Sequence, residues 1–170
     1  EADTRGVIDA VEFLRQVNLG AKSLPGRQVV IVGGGNVAVD AARAAVRLGA
    51  QTVRVVYRRS EQEMPAYPEE IRDAREEAIE FSFLTAPVRI IAENGNVCGL
   101  ECLRTELGEP DAGGRRRPVM VEGSEFVLAC DAVITAIGQR IDRSWAAQLP
   151  ELQWSRRTTL SVDSATLQTA

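Results

Sequence analysis

Apolar residues at Val7, Ala10, Val11, Leu14 and Val17 recur at helical spacing, with Asp9, Glu12, Arg15 and Gln16 facing away, which predicts an amphipathic helix over 6–17. It stops near Asn18-Leu19-Gly20, and Pro25-Gly26 marks a turn. The pattern then changes. Residues 28–32 are almost wholly apolar, as in a strand buried on both faces of a parallel sheet, and they run directly into Gly33-Gly34-Gly35. A second helix follows at once, with Ala38, Ala41, Ala42, Ala45 and Val46 inward, Asp40, Arg43 and Arg47 outward, and Gly49 at its end. Residues 52–57 read as the next strand. Strand, glycine turn, helix and strand within about 30 residues make a βαβ unit of a doubly wound fold, whose crossover is right-handed.

Beyond Tyr57 a polar loop carries Met64-Pro65, and a helix is predicted from near Pro68. Its Glu69, Glu70, Arg72, Asp73, Glu76 and Glu77 read mostly as a solvated face. Residues 81–84 fit a third parallel strand. Segments 88–92, 97–106 and 126–129 look like strands of an antiparallel meander, with turns at Asn94-Gly95 and at 111–114. Residues 132–137 return as an apolar strand ending in Gly138, and the pattern weakens after that. The expected fold class is therefore α/β, a Rossmann-like parallel sheet with an antiparallel β-meander insertion.

Composition narrows the function classes. With 170 residues the prior is one soluble globular domain. The net charge of −4 has no long basic block behind it, so neither nucleic acid nor an anionic membrane is expected as the main partner. Arg115, Arg116 and Arg117 follow Asp111, Ala112, Gly113 and Gly114, and read as a solvated hairpin tip. No stretch reaches the roughly 20 apolar residues of a membrane span, and the first residues lack a secretory pattern, so a cytoplasmic location is the default. The three cysteines, Cys98, Cys102 and Cys130, sit among apolar residues and are expected as buried free thiols. The chain has 0 histidines, which excludes imidazole catalysis and histidine-dependent zinc sites.

The chemistry-bearing constellation is Gly33-Gly34-Gly35-Asn36-Val37-Ala38, a match to Gly-x-Gly-x-x-Gly/Ala with Ala38 in the last position. Gly33 permits the tight turn, Gly35 lets a pyrophosphate approach the backbone, and Ala38 lets the helix pack close to the strands. Free amides and the dipole at the helix start favour an anion there. Asn36 is read equally well as a cofactor contact or as a helix N-cap. At the end of the second strand an NAD-binding unit offers Asp or Glu to the ribose, whereas this chain has Arg58 and Arg59. A guanidinium makes charge-assisted bonds to a 2′-phosphate that a carboxylate would repel, so NADP(H) is the expected cofactor.

The segment Ile31-Val32-Gly33-Gly34-Gly35-Asn36-Val37-Ala38-Val39-Asp40, then Val56-Tyr57-Arg58-Arg59-Ser60 and Met64-Pro65-Ala66, resembles the glutamate synthase small-subunit (beta-chain) family of FAD-dependent pyridine nucleotide oxidoreductases. Related flavoproteins such as dihydropyrimidine dehydrogenase have similar segments. The resemblance continues through Leu84-Thr85-Ala86-Pro87, Gly123-Ser124-Glu125-Phe126 and Asp131-Ala132-Val133-Ile134-Thr135-Ala136-Ile137-Gly138-Gln139. It implies an NADP(H) domain inserted into an FAD domain, with hydride passing between nicotinamide and flavin. By that resemblance Gly33, Gly34, Gly35, Asn36, Val37 and Ala38 hold the pyrophosphate, and Arg58 and Arg59 the 2′-phosphate. Ala136, Ile137, Gly138 and Gln139 then line the edge where the two domains meet, and no residue of the chain acts as acid, base or nucleophile.

The chain also departs from that family. It has no FAD-type glycine fingerprint before Gly33 and no iron–sulfur cysteine cluster, and its residues stop short of the family's second flavin-contacting Gly-Asp motif. The expectation is an excised domain, inactive alone: 1–24 a helix and linker from a missing FAD domain, 25–139 the NADP(H)-binding domain, and 140–170 a return segment. Its partners would be that FAD domain of the same polypeptide and a large catalytic subunit, with FAD bound only in the full-length protein. Two other readings stay open, a stand-alone module that senses nicotinamide nucleotides without turnover and a Rossmann domain that has lost its ligand.

Overall fold

The computed structural model describes residues 4–111, 113–138, 145, 148–149, 152–155 and 159–169. They form, in chain order, β1 (Val7–Asp9), α1 (Ala10–Asn18), β2 (Gln28–Val32), α2 (Asn36–Arg47), β3 (Thr52–Val56), α3 (Pro68–Glu76) and β4 (Glu80–Ser82). There follow β5 (Thr85–Glu93), β6 (Asn96–Pro110), β7 (Arg116–Met120), β8 (Phe126–Ala129) and β9 (Ala132–Thr135). Five strands make a parallel sheet in the order β1-β9-β2-β3-β4, and β5 to β8 make a separate antiparallel sheet in which β6 pairs with β5, β7 and β8. The expected α/β class, a Rossmann-like parallel sheet with an antiparallel insertion, is what the chain adopts.

Period-two alternation sets the layers. Val29, Ile31, Val53, Val55, Ala132 and Ile134 point into a core shared with α1, α2 and α3. Their neighbours Val30, Val32, Val56 and Val133 point the other way, into a second core with Leu100, Cys102 and Leu128 of the antiparallel sheet and with Cys130, which follows it. Both faces of the parallel sheet are thus covered, as the apolar run at 28–32 requires. Ile31 and Ile134 are fully buried, and such side chains contribute roughly 1.5–3 kcal/mol each. On α2 the small residues Ala38, Ala41, Ala42 and Ala45 are all buried, so the helix lies close to the strands beneath it.

The structure corrects several local expectations. The helix predicted over 6–17 begins only at Ala10, because the Asp9 carboxylate accepts from the amides of Val11 and Glu12 and caps it. Val7–Asp9 instead pair with Val133, Ile134 and Thr135 as an edge strand. The acids of α3 are not merely solvated. Arg43 of α2 reaches Glu70 at 2.7 Å and Glu77 at 2.8 Å, and Arg47 also binds Glu77 at 2.9 Å. Burial raises the Glu77 carboxyl, and the hydrogen bonds and charges of Arg43 and Arg47 outweigh it, leaving the group below its ordinary range. Arg116 and Arg117 lie in β7 rather than at a tip, and Arg116 donates to the Leu107 and Gly108 carbonyls. Cys102 and Cys130 are buried, but Cys98 is exposed.

The chain divides after Ile137 into two compact units. The first holds both sheets and the three helices, β1 and α1 included. In the second, Trp154 bridges Leu160 and packs at a tilt against Trp145, ring centroids 6.2 Å apart, and the Asp163 carboxylate caps a turn through the amides of Ala165 and Thr166.

Candidate dinucleotide site at the carboxyl edge of the parallel sheet

Strand order reverses between β2 and β9. From β2 the chain proceeds through α2 to β3 on one side, while β9 returns on the other. Ligands of doubly wound sheets bind outside the carboxyl ends of the strands at such a switch point. Here the Ala136 amide donates to the Val32 carbonyl at 2.7 Å, and the Gly33 amide to the Val56 carbonyl at 3.0 Å. The glycine turn and the end of β9 are thereby brought together.

The three glycines have three different reasons to be glycine. Gly33 has φ +152, and a Cβ there would meet the Ala136 carbonyl oxygen at 2.5 Å. A Cβ on Gly34 would run into the Tyr57 ring. Gly35, the N-cap of α2, has the extended conformation φ −88, ψ 173 that any residue adopts, and a Cβ on it would meet none of the described residues within 4 Å. Among the described residues nothing demands glycine at this position. The backbone here faces open space, and among the described residues the amides of Gly35, Asn36 and Val37 have no acceptor. The first turn of α2 also carries no acidic residue. Three unpaired donors at the positive end of a 12-residue helix form a cradle for an anion, and a residue without Cβ lets that anion reach the backbone. The residues present therefore fit a pyrophosphate.

Asn36 is not the N-cap. It is the first residue of α2, and its Oδ1 accepts from the Tyr67 amide at 3.0 Å. Together with the bond from the Ala66 amide to the Gly34 carbonyl, 3.0 Å, this fastens the loop before α3 onto the glycine turn. Val37 is half-exposed beside the cradle, and Ala38 is fully buried against the sheet.

Arg58 and Arg59 follow the carboxyl end of β3. The Arg58 carbonyl accepts from the buried Thr105 hydroxyl at 2.7 Å, so its backbone is pinned by β6 while its side chain is exposed. Among the described residues the Arg58 guanidinium has no ion-pair or hydrogen-bond partner. Arg59 is partly buried, with Nε donating to the Tyr57 hydroxyl at 3.1 Å. Ala136 and Ile137 follow β9, and Ile137 is 77% exposed. Gly138 has φ +101, and Gln139 lies outside the described residues. Residue-by-residue reading overlooked Tyr57, Ala66 and Thr105. The signal for Tyr57 was an aromatic directly before the arginine pair, whereas Thr105 is 47 residues from its partner and left none.

Among the described residues no helix is long and apolar enough to cross a membrane, and no group of three or more acidic or cysteine side chains is arranged to hold a metal ion. The sequence matches the family described as pyridine nucleotide-disulphide oxidoreductase over residues 2–170. It is 51% identical over 166 residues to the NADP(+)-dependent formate dehydrogenase subunit beta of Moorella thermoacetica, covering 97% of this chain and 23% of the relative. It is 43% identical over 143 residues to the glutamate synthase [NADPH] small chain of Escherichia coli, covering 84% and 29%. The chain thus spans about a quarter of the length of these relatives. Among solved structures, Mycobacterium tuberculosis FprA in complex with NADPH superimposes with a TM-score of 0.70 at 20% identity, covering 91% of this chain and 48% of that one. Thioredoxin reductase of T. acidophilum gives 0.68 at 16% identity, covering 97% and 46%. At these identities the likeness concerns the fold.

Proposed function

The chain belongs to the pyridine nucleotide-disulphide oxidoreductase family, and we propose that within it this chain is an NADP(H)-binding domain that positions nicotinamide for hydride exchange with FAD held by another part of the same polypeptide. The observation that carries this reading is Gly35. Its conformation and its surroundings make no demand for glycine, yet it stands at the head of a helix whose first amides are unpaired. A ligand phosphate is what the missing side chain makes room for.

Gly33, Gly34, Gly35, Asn36, Val37 and Ala38 form the pyrophosphate cradle in this account. Arg58 and Arg59 select NADP(H) over NAD(H) by charge-assisted bonds to the 2′-phosphate. Ala136, Ile137 and Gly138 line the edge that faces the flavin. The hydride chemistry is supplied by nicotinamide and flavin when both are bound, and this chain's task is to bind, orient and select. The chain contains a single Gly-x-Gly-x-x-Gly/Ala turn, which serves one dinucleotide. The names of the relatives, a subunit beta and a small chain, support an assembly with further subunits, and a large catalytic subunit is the partner this reading implies.

Calorimetric titration of the 170-residue chain with NADPH and NADH tests the proposal. Saturable binding that favours NADPH, with no NADPH oxidation until a flavin-bearing partner is added, is the expected result. Preference for NADH, or no binding of either nucleotide, would overturn it.

A further inference from the structure

Resting on the NADP(H) reading above, we propose that Tyr57 is a positioning residue for the 2′-phosphate end of the nucleotide, presetting Arg59 and tying it to the glycine turn. Tyr57 follows β3 and is 8% exposed, its ring in the core and its hydroxyl bonded to the Glu63 carbonyl and Arg59. The ring occupies the space that a Cβ on Gly34 would need. The hydroxyl donates to the Glu63 carbonyl at 2.8 Å, which commits its proton and turns its oxygen lone pairs toward Arg59. Arg59 Nε donates to that oxygen at 3.1 Å, and the guanidinium carbon lies 5.8 Å from the ring centroid.

The hydrogen bond uses one nitrogen of the guanidinium. Its two terminal nitrogens have no acceptor among the described residues, which leaves the planar fork free for two phosphate oxygens. The neighbouring Arg58 is held by none of this: its side chain is exposed and unpaired among the described residues. The two arginines therefore have different tasks. Arg59 is ordered before the ligand arrives, and Arg58 closes on the phosphate afterwards. Because the same ring packs on Gly34, within the glycine turn of the cradle, a single side chain sets the spacing between the pyrophosphate end and the 2′-phosphate end of the site.

Tyr57→Phe keeps the ring and its packing on Gly34, and removes only the hydroxyl. Affinity for NADP+ and for 2′,5′-ADP should fall about three- to tenfold, the factor set by ordering one rotamer-rich side chain. Affinity for NAD+ and 5′-AMP, which lack the 2′-phosphate, should change less than about twofold on the same grounds. In an Arg59→Ala background the Tyr57→Phe change should cost nothing further, since a positioning residue has no effect once its client is gone. Equal weakening of both nucleotide classes, an unchanged NADP+ affinity, or an additive loss in the Arg59→Ala background would each overturn the proposal. A wild-type chain that does not prefer NADP+ over NAD+ would instead remove the NADP(H) reading on which it rests. A thermal melt of each variant confirms that the comparison is made on folded protein.

Discussion

Gly35→Ala separates a glycine kept for the fold from a glycine kept for a ligand. At φ −88, ψ 173 an alanine is unstrained, and at such a compatible site the substitution stabilises by about 0.4–1 kcal/mol through the unfolded chain. Gly35 is also the N-cap of α2, where alanine is poorer than glycine by roughly the same amount. The two effects offset, so stability should stay within about 1 kcal/mol of wild type, a shift of no more than about 4 °C for a chain of this size. Binding should respond quite differently. A methyl group in the open space over the Gly35–Val37 amides keeps a phosphate from the backbone and costs at least one hydrogen bond to a charged group, about 1.5–3 kcal/mol or a ten- to hundredfold loss of NADPH affinity. Gly33→Ala should do the reverse: φ +152 and the Ala136 carbonyl at 2.5 Å make the site unfit for a side chain, at about 1–3 kcal/mol or more in strain. Differential scanning fluorimetry and calorimetric titration of the two variants are the assays. A Gly35→Ala protein that binds NADPH as tightly as wild type, or one that is as destabilised as Gly33→Ala, would refute the reasoning.

Three further predictions follow from the same geometry. Arg58→Ala should weaken NADPH about ten- to hundredfold more than NADH in parallel titrations, and Arg58→Asp should reverse the preference by repelling the 2′-phosphate. Arg43→Met should lower stability by about 1–3 kcal/mol, because it leaves the partly buried Glu70 and Glu77 carboxylates without their main partner. The Glu77 carboxyl is held below its ordinary value of 4.5, so its contribution is full above that pH and is lost as the pH falls through the folded value. Urea titrations should accordingly show wild type losing its advantage over Arg43→Met on acidification. Finally, a thiol reagent at pH 8 should modify Cys98 alone in the native chain, since Cys102 and Cys130 are buried and pushed up to about 11, chiefly by desolvation; all three should react in denaturant.

What the sequence made legible was local. β2, the glycine turn, α2 and β3 are contiguous, their apolar periods are unmixed, and β2 falls where the pattern places it while β3 ends one residue short, at Val56. Val7–Asp9 escaped because three residues are too few to show a period of two, and Val7 continues the helical spacing of Ala10, Val11 and Leu14. Only pairing with Val133–Thr135 makes them a strand, and that partner is far along the chain. The acids of α3 read as solvated because Arg43, which gathers Glu70 and Glu77, sits on another helix. At the site, the residue types in the glycine turn and the arginine pair were visible, but their division of labour was not. Gly33, Gly34 and Gly35 look alike in sequence and differ only in what stands opposite them: a carbonyl, a ring and open space. Asn36 read as a cap or a ligand contact, and the Tyr67 amide that engages it lies 31 residues on.

The central claim is that an NADP(H) pyrophosphate sits on the free amides at the head of α2 while its 2′-phosphate meets the arginines after β3. Titrating the 15N-labelled chain with NADP+ and following its amide resonances addresses this claim residue by residue. The account predicts saturable shifts at Gly35, Asn36, Val37 and Ala38, with shifts at Arg58 and Arg59 that NAD+ fails to reproduce. Shifts confined to the antiparallel sheet, or an unchanged spectrum at saturating nucleotide, would contradict it.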